Sequence, residues 1–316
     1  MQSLHPKIAI IGAGNVGSTY AFSLMISGLA REIVLIDKNT ALAKGECMDL
    51  NHGLSFAHPT RIHPAGFEGC ADADIVVITA GANRKPGQNR TELAQDNLEI
   101  YKRIIPEILK YTTQAILLVV TNPVDILTYC TLKISGLPSG RVIGSGTVLD
   151  TARFRYMLSD HCKVDSSNVH AYIIGEHGDT ELPVWSNATI AGMPIEKYST
   201  LYAGLSDYKN VFSDIFLKVK ESAGEIIAAK GATSYSIALS LVKITRAILR
   251  NENSILPVST LINDYYQISD VCISIPSLVN RSGVVHYLDL ELSKLEQQQF
   301  THSANTLKHI IKTLDI

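Results

Sequence analysis

A chain of 316 residues, 46% hydrophobic and 18% charged, with a formal net charge of -2, is neither disordered nor fibrous in composition and can form one large domain or two ordinary ones. The near-neutral charge gives no general electrostatic reason to bind nucleic acid or an anionic membrane surface, and apolar runs such as 115–120 fall far short of the roughly 20 residues that span a bilayer as a helix. Five scattered cysteines point to reduced thiols in a cytoplasm, residues 1–7 show no secretion signal, and ten histidines without HExxH or comparable spacing imply no metal.

From the N-terminus, β-branched runs at 7–11, 33–37, 75–80 and 115–120 each predict a buried strand. Amphipathic stretches at 16–27, 40–51 and 91–111 fill the gaps as helices, and strand–helix–strand order predicts a parallel sheet with right-handed crossovers. Past Ser145 the rhythm changes to a helix at about 148–159, strands near 169–174, and helices at about 207–229 and 233–251. Strands at 255–261 and 271–279 and a helix from Ser293 close the chain. The expected fold class is α/β: a doubly wound parallel Rossmann sheet over 1–145 for a dinucleotide, followed by a mixed α+β substrate and catalytic domain over 146–316, with a ligand cleft at their junction.

The first strand runs into Gly12-Ala13-Gly14-Asn15-Val16-Gly17, which opens a helix. Gly12 permits the tight turn, Gly14 lets a pyrophosphate approach the backbone, and Gly17 lets the helix sit close on the sheet. Asp37 lies twenty residues beyond Gly17, at the predicted end of the second strand. A carboxylate there accepts hydrogen bonds from ribose hydroxyls and repels a 2′-phosphate, which favours NAD over NADP. Residues 81–90 follow the third predicted strand as a glycine-containing basic loop at the carboxyl edge, where doubly wound sheets bind ligands.

Further on, Asp150 and Arg153 stand three apart in a predicted helix and so share a face. His177 follows in the glycine-flanked turn Gly175-Glu176-His177-Gly178-Asp179. Reducing a 2-oxo acid leaves an alkoxide that needs a proton, and imidazole supplies one near neutral pH. Asp150 then fixes the tautomer and favours the imidazolium, while Arg153 clamps the substrate carboxylate. Taken singly, each residue has an ordinary structural explanation, a surface ion pair or a packed histidine.

The segments 149–155 (LDTARFR) and 174–179 (IGEHGD), in this order and at this separation, closely resemble the substrate-helix and proton-donor motifs of the lactate and malate dehydrogenase family, and the resemblance extends over nearly the whole chain. It implies an NAD-dependent 2-hydroxyacid dehydrogenase with His177, Asp150 and Arg90 catalytic, Arg90 swinging in on a lid to polarise the C2 carbonyl. It implies substrate contacts from Arg84, Arg90, Asn122, Arg153 and Thr233. Thr121-Asn122-Pro123-Val124-Asp125 is similar to the family segment whose asparagine touches substrate and nicotinamide, with a cis Asn-Pro bond. The implied cofactor set is Gly12, Gly14, Asn15, Val16, Gly17, Asp37, Gly81, Ala82, Val120, Asn122 and Ser145.

Two signals conflict over the substrate. At the position of Arg84 the family typically carries glutamine in lactate enzymes and arginine in malate enzymes, whereas most of this chain looks like the bacterial lactate type. A second arginine enclosed in a closed pocket wants a second carboxylate, and leaving it unpaired costs about 3 to 5 kcal/mol. Gln88, where lactate-type members usually carry glutamate, points the same way, and Thr233 points the other. The expectation is oxaloacetate and malate, with pyruvate and lactate as the alternative.

Arg155 lies roughly 140° around the helix from Asp150 and so serves something other than the substrate. With His170 it matches the pair that binds fructose 1,6-bisphosphate at a subunit interface of allosteric bacterial lactate dehydrogenases, which implies a homotetramer and a candidate effector site; a structural ion pair is the alternative. Tyr129 and Lys133 supply the YxxxK of a short-chain dehydrogenase, but the serine expected about a dozen residues earlier is absent. A nonenzymatic NAD-binding protein is the remaining class.

Overall fold

The computed structural model describes residues 5–82, 87–202, 204 and 208–316. Its parallel strands are β1 (Lys7–Ile11), β2 (Glu32–Ile36), β3 (Arg61–Pro64), β4 (Ile75–Ile78), β5 (Ile116–Val119) and β6 (Val142–Gly144). Intervening helices are α1 (Asn15–Ser27), α2 (Thr40–His52), α3 (Arg90–Leu109) and α4 (Val124–Ser135). In space the strands run β6-β5-β4-β1-β2-β3, so the order reverses between β4 and β1 and opens a crevice at their carboxyl ends. β1, β2, β4 and β5 are buried apolar runs covered by helices on both faces, which is why periodicity found them. β3 escaped because only Ile62 of its four residues is buried, and β6 because three residues make no run.

Beyond β6 come α5 (Val148–Cys162), the short strands β7 (Val169–His170), β8 (Ile173–Ile174), β9 (Leu182–Pro183), β10 (Thr189–Ile190) and β11 (Met193–Pro194), then α6 (Ile195–Tyr202), α7 (Tyr208–Lys230) and α8 (Tyr235–Leu249). β12 (Ser254–Ile262), β13 (Val271–Asn280) and β14 (Gly283–Tyr287) pair antiparallel and join β6 through Ser259 opposite Gly144, so one sheet runs through both halves. Gly144 is required there, because a Cβ would lie 2.4 Å from Thr128 Oγ1 and 2.8 Å from Ser259 Cβ. The final helix, α9 (Lys294–Thr313), starts at a reciprocal cap in which Ser293 and Glu296 satisfy each other's backbone N–H groups. Tyr20 of α1 and Thr245 of α8 share a buried hydrogen bond of 2.5 Å, tying the nucleotide half to the second half.

Candidate active site

Each glycine of the first turn answers a separate steric demand. Gly12 has φ +108°, and a Cβ on it would lie 2.7 Å from Thr79 Oγ1 and 2.8 Å from the Ala80 nitrogen. A Cβ on Gly17 would come within 1.9 Å of the Gly12 carbonyl oxygen, so this glycine sets how closely α1 approaches the turn. Gly14 caps α1 with no side-chain hydrogen bond and has nothing within 4 Å of its missing Cβ. That combination leaves a bare helix N-terminus open to a phosphate. Asp37 falls one residue past β2; its carboxylate accepts from the Ala13 N–H at 2.7 Å and the Asn39 N–H at 2.8 Å, binding the acidic residue to the glycine turn. Asn15 and Val16 begin α1 beside them. The residues present fit a dinucleotide without a 2′-phosphate.

The rest of the predicted cofactor set lies at the neighbouring strand ends. The Val120 N–H donates to Ile78 and the Ser145 N–H to Val119, at 3.0 and 2.8 Å. A Cβ on Gly81 would lie 2.2 Å from Thr121 Cγ2. Asn97 of α3, buried and not singled out from the sequence, accepts from the Ala82 N–H at 2.7 Å and donates to the Asn122 carbonyl at 2.8 Å, so one side chain spans both loops. The Asn122–Pro123 bond is cis.

His177, Asp150 and Arg153 meet. The two oxygens of the Asp150 carboxylate are divided between them: Oδ2 lies 2.5 Å from His177 Nδ1, and Oδ1 accepts from Arg153 Nη1 at 3.0 Å. Burial opposes an ionised Asp150, but the His177 and Arg153 charges overcome it and hold the carboxyl below its ordinary range. Burial alone would likewise lower the imidazole, yet Asp150, with Glu181 and Asp125 behind it, pushes His177 up to about 9. Asp125, buried in α4, accepts from the His177 N–H at 2.7 Å and from Ser274 Oγ at 3.2 Å, fixing the turn from below. With Nδ1 engaged, the other ring nitrogen is the one left to act on a ligand.

Arg90 opens α3 and packs onto that same turn: Nη2 donates to the His177 carbonyl at 2.6 Å, and Nε lies 3.2 Å from the Glu176 carboxylate. A Cβ on Gly178 would sit 2.0 Å from Arg90 Nη1, so the glycine makes room for the guanidinium. Glu181, which the sequence reading passed over, joins the group four residues after His177. It is 7% exposed, and burial, reinforced by Asp150, pushes its carboxyl up to about 8. A ring nitrogen of His177 and a carboxylate oxygen each from Asp150 and Glu181 lie within 4.8 Å of one another, a grouping invisible to motif spacing because it is made by packing α5 on a turn.

Other candidates are placed differently. Arg84 lies outside the described residues. Gln88 donates to Asp96 on α3 at 2.8 Å. Thr233 is half-buried just ahead of α8. Arg155 donates from Nε to the Ala171 carbonyl at 2.9 Å and stacks over Tyr172, beside the exposed His170 of β7. Tyr129 and Lys133 both bond to Asp270, at 3.0 and 3.1 Å, a structural clip that accounts for the pair without short-chain dehydrogenase chemistry.

Residues 6–144 match the NAD binding domain of lactate/malate dehydrogenases, and residues 147–315 match the α/β C-terminal domain of the same enzymes. The chain belongs to the lactate/malate dehydrogenase family. It is therefore an NAD-dependent dehydrogenase of the lactate or malate type. An L-lactate dehydrogenase of Acetivibrio thermocellus is 55% identical over 98% of both chains, and one of Priestia megaterium is 52% identical over 96% of this chain and 94% of its own. Among solved structures, the minor L-lactate dehydrogenase of Enterococcus mundtii superposes with a TM-score of 0.95 at 40% identity over 99% of each chain.

These relatives overturn the expected preference for oxaloacetate and malate. The unpaired-arginine penalty applies only to an enclosed side chain, whereas a guanidinium left in water carries no such cost. Gln88, the second pointer, spends its amide on Asp96. Similarity at this level over nearly the full length outweighs one loop position. Among the described residues, no helix is long and apolar enough to cross a membrane.

Proposed function

We propose that the chain is an L-lactate dehydrogenase interconverting pyruvate and L-lactate with NAD. The observation that supports lactate over malate is near-full-length similarity at 52 to 55% identity to L-lactate dehydrogenases, and the reaction itself rests on the shared Asp150 carboxylate, which holds an imidazole and a guanidinium on one wall of the site. Arg153 takes the single carboxylate of pyruvate through its remaining N–H groups. His177, kept protonated by Asp150, gives its proton to the C2 oxygen as that oxygen gains charge, and recovers it in the reverse direction. Arg90 swings off its Glu176 and His177 contacts when a ligand binds and stabilises the developing oxyanion. NAD, when bound, supplies or accepts the hydride. Gly12, Gly14, Asn15, Val16, Gly17 and Asp37 hold its pyrophosphate and adenosine ribose, while Gly81, Ala82, Val120, Asn122 and Ser145 line the strand ends beyond. Asn122 and Thr233 complete the pocket wall.

Five free, buried cysteines suit a cytoplasmic enzyme. Large apolar side chains exposed on α1 and α8, Phe22, Ile26, Tyr235 and Leu239, support a homotetramer, and sedimentation as a monomer at micromolar concentration would refute it. Arg155 beside His170 supports an anion site for a sugar bisphosphate, and kinetics unchanged by fructose 1,6-bisphosphate would remove it. The substrate is tested by kcat/KM for pyruvate and oxaloacetate with NADH. Pyruvate should win by at least about tenfold, equivalent to roughly 1.4 kcal/mol; oxaloacetate in front would defeat the reading.

A further inference from the structure

The family's catalytic reading leaves one buried carboxyl of this site without a task. Glu181 ends the His177 turn immediately before β9, its backbone N–H donating to the Gly178 carbonyl at 3.2 Å. A carboxylate oxygen of its side chain lies within 4.8 Å of a ring nitrogen of His177 and of a carboxylate oxygen of Asp150, and among the described residues Oε1 has no hydrogen-bond partner. An ionised carboxylate so placed is costly unless a cation is committed to it.

The surrounding cations are committed elsewhere. From α5, Arg153 is bonded to Asp150, whose own charge repels Glu181. From α7, Lys220 donates to the Asp179 carbonyl at 2.7 Å. From α3, Arg90 lies on Glu176, with Asp179 at 4.0 Å. Asp125 of α4 adds a further negative charge behind His177. Among the described residues the His177 imidazolium acts on Glu181 most strongly, ahead of Lys220 and Arg153, and Asp150 already holds it.

We propose that Glu181 is a third titrating member of the active site and a positioning residue for His177: it carries a proton whenever a monoanionic oxo acid is bound, and its ionisation both holds the imidazolium and repels the substrate. The charge count supports this. Among the groups that face the ligand, with Asp125 held behind the ring by the His177 N–H and Ser274 and with Arg90 offset by Glu176, the His177 and Arg153 cations against the Asp150 anion leave one net positive charge when Glu181 is neutral, matched to one substrate carboxylate. With Glu181 ionised that surplus vanishes. The inference rests on the proposed roles of His177 as proton donor and Arg153 as carboxylate clamp.

The test is proton uptake on binding oxamate, the amide analogue of pyruvate, to the NADH-loaded enzyme, measured calorimetrically in buffers of different ionisation enthalpy. Above about pH 9, where the free enzyme has lost most of its protons from both groups, each oxamate should bring in more than one proton. Glu181→Gln should hold uptake at one or below. The same substitution should lower the His177 imidazole titration, followed by nitrogen NMR in the free enzyme, by about one to two units, between the water and protein-interior limits for removing a charge at this separation. Wild-type uptake that saturates at one proton overturns the role of Glu181 while leaving His177 intact, and this measurement needs no variant to fold. Uptake that stays near zero overturns the proton-donor reading and the Glu181 role with it.

Discussion

The Asp150 carboxylate does two jobs with two oxygens, and the chemistry follows from that division. Its bond to Nδ1 fixes which ring nitrogen of His177 faces the ligand, and its charge keeps the ring protonated well past neutrality. Because the imidazole titration is raised from 6.5 to about 9, the acid needed for pyruvate reduction persists through neutral pH and disappears as pH rises through about 9. kcat/KM for pyruvate should therefore fall above that point, by about tenfold per pH unit for loss of the imidazole proton alone and toward about a hundredfold where Glu181 must be protonated as well, while lactate oxidation, which needs the neutral ring, should rise toward it. A pH-rate profile in both directions checks the sign, and parallel rather than opposed limbs would contradict it. The same sign holds for stability: a group protonated more tightly in the folded state contributes fully below 6.5 and loses its contribution up to about 9.

At the scale of elements, helix starts do much of the positioning. Gly14 leaves the N-terminus of α1 bare, Asn89 and Glu92 cap α3 reciprocally so that Arg90 projects onto the His177 turn, and α5 presents Asp150 and Arg153 on one face. The glycine turn gives a sharp pair of predictions. Gly17→Ala drives a Cβ into backbone and should lower the melting temperature, at a cost of about 1 to 3 kcal/mol, along with weakening NADH binding. Gly14→Ala meets nothing within 4 Å and should cost no more than about 1 kcal/mol, as a poorer N-cap, while raising the NADH Kd about tenfold or more, because its methyl holds the phosphate off the helix N-terminus. Fluorescence titration and calorimetry separate the two, and equal melting losses would show that Gly14 serves packing alone.

Over the whole molecule, what the sequence made legible was whatever repeats locally. Buried strands β1, β2, β4 and β5, the long helices and the glycine turn all carry period or spacing, so their places follow from the chain alone. β3 and β6 are too short or too wet to do so, and the junction of β6 with β12 across Gly144 depends on contacts between residues far apart in the chain. Within the site, the Asp150–Arg153 pair was readable from helical spacing, and its meeting with His177 from motif resemblance. Asn97 and Glu181 were not, because each acts through a neighbour brought by tertiary packing and sits in no motif of its own, and although Asp125 closes the Asn122 segment, its hold on the His177 N–H is made only by packing. Arg84 erred in the opposite direction, since one charged side chain was weighed on the assumption of an enclosure that sequence does not report.

The most direct measurement is a crystal structure of the enzyme with NADH and oxamate. The oxamate carboxylate should lie against the Arg153 guanidinium with its carbonyl oxygen on the His177 ring nitrogen not bonded to Asp150. Oxamate bound away from either side chain, with the Asp150 bonds intact, would contradict the account.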